Sequence, residues 1–112
     1  MLPKVLVAAS VRPIILSVLL KGPTYGYAIV QRIHQLSDGA LQWSDGTIYP
    51  VLHKLETDGL VASTWGKSES GRKRKYYSLT PLGQAAFETE KRQWLDVDAI
   101  LAQLWGLQPR PA

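Results

Sequence analysis

The sequence contains no cysteine among its 112 residues, so disulfides and thiolate chemistry are excluded. It also lacks any stretch close to the ~20 uninterrupted apolar residues that a membrane helix needs. Residues 1–10 carry one lysine and no clear cleavage site, and Arg12 and Pro13 interrupt the apolar run. We therefore expect this segment to be part of the fold and not a signal peptide. The expected location is the cytoplasm, with no membrane partner.

Groups that could carry out catalysis are equally scarce. The two histidines, His34 and His53, fall on different predicted helices with no acidic pair nearby. No cluster of side chains has the spacing of a metal site, and no glycine-rich phosphate loop follows a strand. The sequence therefore predicts a protein that is not an enzyme and that uses no metal and no cofactor.

Positive charge is concentrated in one short segment. The net charge is +4, and residues 66–80 hold five basic side chains against Glu69 alone. Residues 1–65 and 81–112 nearly cancel, with net charges of +1 and −1. Cations clustered on one loop are typical of a surface that binds phosphate, although a lone basic run is also commonly a solvated loop.

Three short helices are predicted before this basic segment. The first ends at Lys21, and it starts either at a Ser10 cap or near Leu2 with a kink at Pro13. The second follows Pro23, because apolar residues then recur every three to four positions. The third ends at Gly59. Its regular part is expected to start no earlier than Thr47, because Pro50 is tolerated only in a first turn.

A hairpin and a long helix complete the chain. Two β-rich runs, residues 60–65 and 75–79, flank the basic loop, and a last helix starts at Thr80 and Pro81. The predicted fold class is mainly α with a small β-hairpin, a winged helix-turn-helix followed by a C-terminal dimerisation helix. The expected organisation is a DNA-binding domain over 1–80, the dimerisation helix over 81–106 and a flexible tail over 107–112.

This order of elements places the candidate DNA contacts in three groups. The third helix is the expected recognition helix, since its outward side chains would meet base edges in the major groove. Hydroxyls at the start of the second helix and the basic loop would bind phosphates. Core packing is the alternative for Tyr25 and Tyr49. The candidates are Thr47, Tyr49, His53 and Lys54; then Thr24, Tyr25 and Tyr27; then Lys67, Arg72, Lys73, Arg74 and Lys75.

The last helix carries an apolar stripe that a domain of this size cannot cover. A second copy is the simplest cover, which predicts a homodimer. Asp98 lies one turn from Trp94, where it would either form an ion pair or attract a cationic aromatic ligand that stacks on tryptophan. The predicted interface residues are Trp94, Val97, Leu101, Leu104 and Trp105.

Three stretches together resemble a known family. They are "GPTYGYAIVQRI", "DGTIYPVLHKLETDGLV" and "GRKRKYYSLTPLGQAAF". They are similar to the second helix, recognition helix and basic wing of PadR-like regulators, over roughly residues 14–87. The resemblance implies a winged-helix dimer that represses genes and releases DNA when it meets an inducer.

The length and the stretch "RQWLDVDAILAQL" resemble a multidrug-sensing member of the short-form branch of that family. There, a tryptophan and an aspartate line a pore at the dimer centre that takes flat aromatic drugs. The resemblance carries this role to Trp94 and Asp98, and by alignment the first helix would add Val5, Ala9 and Leu16. Arg12 and Pro13 depart from the small or apolar residues expected there, and an arginine near the pore would oppose cationic drugs.

Three functions remain open on this basis. The leading hypothesis is a repressor with operator DNA, a second copy and a small aromatic ligand as partners. The alternative is a winged-helix protein–protein interaction module without DNA binding, since that fold serves both purposes. A repressor released by phosphorylation or by protein binding is the third. Five cations within nine residues fit phosphate better than a protein partner.

Overall fold

The computed structural model describes residues 2–108 of the chain. Its elements in chain order are α1 Lys4–Leu20, β1 Thr24–Tyr25, α2 Gly26–Leu36, α3 Asp45–Thr57, β2 Val61–Lys67, β3 Lys73–Leu79 and α4 Pro81–Leu104. We call β2, β3 and the turn between them the wing. The predicted fold class, mainly helical with a small hairpin in a winged helix-turn-helix order, is confirmed.

Helix α1 continues through its proline. It begins at Lys4, so the longer of the two alternatives for the first helix is the observed one. Pro13 has no N–H to donate to the carbonyl of Ala9, an absence that disfavours a helix interior. Burial of Val11, Ile15, Leu16 and Leu19 on one side of the helix offsets this cost.

The second helix starts at Gly26 and not directly after Pro23. Thr24 and Tyr25 form β1 instead, which pairs antiparallel with Tyr77 and Tyr76 of β3. The sheet therefore has three strands in the order β1-β3-β2, where the sequence predicted only a hairpin. The open edge of β3 offers backbone hydrogen bonds to any extended segment beside it, so Thr24 and Tyr25 can pair there. A strand of only two residues has too little sequence pattern to be predicted.

Helix α3 begins before the position set by its proline. Its first residue is Asp45, so the expectation that it starts no earlier than Thr47 is wrong. The carbonyl of Ser44 accepts hydrogen bonds from the N–H groups of Thr47 and Ile48, which closes the first turn ahead of Pro50. Burial of one apolar side of the helix compensates for the hydrogen bond that Pro50 removes.

The core lies where α1, α2, α3 and the base of the wing meet. Six side chains are fully buried there: Ile15, Leu16, Ile29, Ile48, Leu52 and Leu55. Leu16 therefore belongs to the core of a single chain. It cannot also line an open pore at a dimer centre, which corrects the pocket inferred from the family resemblance for this residue.

Helix α4 is anchored at its start and uncovered towards its end. The Thr80 hydroxyl accepts a hydrogen bond from the Gly83 N–H at 3.0 Å and donates one to the Gly59 carbonyl at 2.6 Å. The 24 residues of α4 span about 36 Å. Leu104 is its last helical residue, and most of the predicted flexible tail lies outside the described part of the chain. None of the helices within residues 2–108 has the length and apolarity needed to cross a membrane.

Candidate nucleic-acid interface

On α3, the predicted recognition helix, some of the predicted contact residues are exposed and others are packed within the chain. His53 and Lys54 are exposed, although the Lys54 ammonium lies 3.1 Å from the Asp58 carboxylate. The Tyr49 ring packs over Gly26, where a Cβ would come within 2.8 Å of the ring. Tyr49 thus fixes α3 against the start of α2 and keeps part of its ring in solvent. Thr47 is half-buried in the first turn.

The start of α2 contributes the predicted hydroxyl groups. Tyr27 is exposed, and its hydroxyl accepts a hydrogen bond from the Gln31 amide at 2.9 Å, which leaves its own proton free to donate. Tyr25 is half-buried in an edge-to-face contact with Tyr76, with 5.6 Å between the ring centroids. The Arg74 guanidinium lies 4.1 Å from the Tyr25 ring centroid. Both interpretations of Tyr25 are therefore compatible with its position, since the ring is packed and part of it remains accessible.

The five wing cations fall into two classes. Lys67, Arg72 and Lys73 are exposed, and no ion pair involves them within residues 2–108. Arg74 stacks on a tyrosine, and the Lys75 ammonium lies 3.7 Å from the Glu56 carboxylate of α3. Three side chains at the end of the wing are therefore available to bind phosphate, while two also hold the wing against β1 and α3.

Glu56 is a connection that the sequence did not predict. Its carboxylate accepts a hydrogen bond from the Ser63 hydroxyl of β2 and pairs with Lys75 of β3. The Ser63 hydrogen bond, followed by the charges of Lys75 and His53, lowers the pKa of Glu56 despite an opposing effect of burial. The ionised carboxylate thereby joins the last turns of α3 to both strands of the wing. No local spacing rule relates Glu56 to Lys75, because strand register creates that contact.

The predicted ligand residues do not share one site within a single chain. A cavity of about 410 Å³ lies between α1 and α4 and is mostly apolar. Trp94 lines it, whereas Val5, 84% exposed, and Ala9 lie on the exposed N-terminal part of α1. Asp98 is half-buried one turn after Trp94. The lining residues are Ser10, Pro13, Ile14, Ser17, Phe87, Lys91, Trp94 and Leu95.

Arg12 is held within the chain. Its Nε donates to the Glu90 carboxylate at 2.9 Å, an ion pair that links α1 to α4 one turn before Trp94. The side chain is 43% exposed and the partner carboxylate 21%. Glu90 therefore neutralises much of the charge that Arg12 would bring near Trp94. The sequence alone did not show that Arg12 has this partner.

The predicted dimer residues form an exposed apolar surface on the second half of α4. Trp94, Val97, Leu104 and Trp105 are all exposed, and Leu101 is half-buried. Ile100, which the sequence pattern did not single out, lies on the same half of the helix and is also exposed. So many exposed apolar side chains on one helix are typical of a surface that a partner covers.

Comparisons with known proteins agree with this architecture. The family described as the transcriptional regulator PadR-like family matches residues 15–89. An uncharacterized protein of Lysinibacillus sphaericus is 34% identical over 88 residues, 79% of this chain and 81% of that one. The transcriptional regulator Rv3488 of Mycobacterium tuberculosis is 43% identical over 58 residues, 52% of this chain and about half (53%) of its own length.

The fold also matches solved structures. A transcriptional regulator from Clostridium thermocellum superposes with a TM-score of 0.82 at 27% identity, covering 92% of this chain and 97% of that one. The family match covers well over half of the chain and includes α2, α3 and the whole wing. The chain therefore belongs to the PadR-like family of transcriptional regulators, which confirms the prediction of a regulator and not an enzyme.

Proposed function

We propose that this regulator is a dimeric repressor that binds operator DNA through α3 and the wing. The observation that carries the proposal is the placement of charge. Lys67, Arg72 and Lys73 project from the end of a wing whose base is tied to α3 through Glu56. A duplex that takes α3 in its major groove then has the three cations beside its backbone.

The uncovered surface of α4 supports the proposed dimerisation. Leu104 is 75% exposed and Val97 52% exposed, on a helix that reaches well away from the core. A second copy would cover this surface with an identical one, as two-fold dimers do. The dimer would offer two α3 helices, and two helices suit successive major grooves about 34 Å apart.

For the inducer, we propose a flat aromatic molecule bound beside Trp94, as in the multidrug-sensing short-form members that this chain resembles. The cavity between α1 and α4 supports this proposal because it places the Trp94 indole beside an apolar space of ligand size. Val5, Ala9 and Asp98 would complete the site from the dimer, while Leu16 is excluded by its burial. The alternative is a Trp94 pair that stacks and closes the interface.

DNA binding is tested by fluorescence anisotropy with the duplex upstream of the protein's own gene. The variant Lys67→Ala, Arg72→Ala, Lys73→Ala should bind more weakly, and its plot of log affinity against log salt should flatten by about 0.9 for each phosphate that it no longer binds. The control removes three cations elsewhere, at Lys4, Lys21 and Lys91, and should keep the slope. Undiminished affinity in the wing variant would contradict the proposal, and no binding by the wild type would favour a protein–protein module.

The ligand proposal has its own measurement, made without DNA. In a chain with Trp43, Trp65 and Trp105 replaced by phenylalanine, a planar cationic acridine should quench Trp94 fluorescence saturably. Trp94→Ala should abolish dye binding while sedimentation still shows a dimer. Unsaturable quenching, together with a dimer that dissociates on truncation of Trp94, would instead establish the closed stack.

A further inference from the structure

One large aromatic side chain of the wing is largely exposed in the single chain. Trp65 of β2 is 69% exposed, although tryptophan is generally well buried. It pairs in register with Lys75 of β3, and the next pair on the same side of the sheet is Lys67 with Lys73. The indole therefore lies opposite Lys75 and next to the exposed pair of Lys67 and Lys73 on its own face of the sheet.

The side of the sheet on which Trp65 lies is decisive. Cross-strand partners share a face, and the pairs at the base of this face include Val61 and Tyr77, which are buried in the core. Trp65 lies two residues, about 7 Å, beyond the Tyr77 pair and so beyond the edge of the core. Glu56 of α3 contacts this same face at Ser63 and at Lys75. The indole consequently stands next to the recognition helix and on its side of the sheet.

We propose that Trp65 contacts the minor groove of the bound duplex, where its indole packs against the sugars that form the groove wall. This proposal rests on the proposed DNA binding. It assigns to Trp65 an uncharged contact with the duplex. Apolar side chains of minor-groove binders contact the duplex without charge, often as wedges between base steps, and here the neighbouring Lys67 and Lys73 would supply the attraction to phosphate. Duplex DNA fits this surface because the exposed Lys67 and Lys73 follow the indole on the same face, while the acidic Glu56 is already paired with Lys75.

The proposal predicts a distinctive signature in the salt dependence. Removing an uncharged contact lowers affinity at every salt concentration and leaves the number of released counterions unchanged, so the slope stays constant. Removing a lysine lowers the slope by about 0.9. A contact with the sugars also depends on groove width, which differs between A·T-rich and G·C-rich duplexes.

The experiment measures binding to an A·T-rich and a G·C-rich duplex from about 50 mM salt upwards. Trp65→Ala should weaken binding at least fivefold with an unchanged slope, Trp65→Phe should retain most of the affinity, and Lys73→Ala should reduce the slope. Thr64→Ala, an exposed position on the opposite face of the same strand, is the control and should bind like the wild type. Circular dichroism verifies that each variant folds.

Each outcome separates the two proposals. If Trp65→Ala binds like Thr64→Ala, the contact is refuted and DNA binding stands. If Trp65→Ala lowers both affinity and slope, the indole acts only by holding the lysines in place, which also refutes the contact. If the wild type binds neither duplex, the proposed function itself fails. As direct support, Trp65 emission should change on DNA addition in a Trp94→Phe, Trp105→Phe background, where the remaining Trp43 is buried.

Discussion

Replacing Gly83 with alanine tests how α4 is joined to the rest of the fold. A Cβ at this position would overlap the carbonyl oxygen of Leu60 and come within 2.9 Å of the Leu60 carbonyl carbon and of Leu79. The same Leu60 oxygen accepts the Thr80 N–H at 3.1 Å. The obstacle is backbone, which cannot rotate out of the way as a side chain can. The start of α4 must therefore move away from the wing.

The expected destabilisation follows from two opposing effects. Overpacking of this kind lowers the free energy of unfolding by about 3 kcal/mol, which is the upper end of its usual range. Alanine regains about 1 kcal/mol because it favours a helix over glycine. The net destabilisation of about 2 kcal/mol should lower the melting temperature by roughly 8 °C for a chain of this size.

Thermal unfolding followed by circular dichroism measures this effect at one fixed protein concentration, since the stability of the proposed dimer would depend on concentration. Gly46→Ala is the control. Gly46 lies in the first turn of α3, where a Cβ would come no closer than 3.5 Å to a neighbouring hydroxyl. That variant should be as stable as the wild type or slightly more so. A melting temperature of Gly83→Ala equal to that of Gly46→Ala would show that α4 does not dock on Leu60 as described.

Three further predictions address the cap, the wing and the dimer. Thr80→Val should lower the free energy of unfolding by about 1 kcal/mol, because it removes the α4 cap. The control, Thr89→Val, removes only a hydroxyl bonded within the helix and should lower the free energy of unfolding less in the same urea titration. Because folding lowers the pKa of Glu56, its stabilisation is present above the ordinary glutamate pKa of about 4.3 and disappears as the pH falls below it. As the pH falls from about 5 to about 3, Glu56→Gln should therefore lose less stability than the wild type, and an equal loss in both proteins would show that the Glu56 contacts do not stabilise the fold. Leu101→Glu with Leu104→Glu should yield monomers in sedimentation, since each unpaired charge in a dry interface is strongly unfavourable; an unchanged dimer would show that another surface associates.

Elements with strong local signals were predictable from the sequence. The start of α4 is an example, since Thr80 and Pro81 form a capping signal that depends only on neighbouring residues. The end of α3 at Thr57, just before Gly59, is another. The proline rule was wrong at Pro50, and at Pro13 it left two starts of the first helix open. Around Pro13 and Pro50 the helix continues because tertiary burial outweighs one missing hydrogen bond, and burial is not a local property.

Strand β1 and the ligand residues were less predictable, again because they depend on distant parts of the chain. Thr24 and Tyr25 become a strand only because the edge of β3 lies beside them. Leu16 matches the family pattern in alignment, yet the rotation of α1 turns it into the core. The helical period alone could not reveal this, since both the core and a dimer pore select apolar residues on α1.

Two ion pairs of α3 also differ in whether the sequence predicts them, and the difference affects the proposed function. The Lys54–Asp58 pair is an i,i+4 contact that the helical period makes foreseeable. The Lys75–Glu56 pair is not, because it requires the third helix to lie against one particular face of the wing. Charge counting therefore assigns five wing cations to DNA, whereas the fold leaves three of them without an internal partner among the described residues. The cations that hold the wing in place would also set the position from which the others bind DNA under the proposed function, so substitutions at Arg74 or Lys75 should disturb geometry as well as charge.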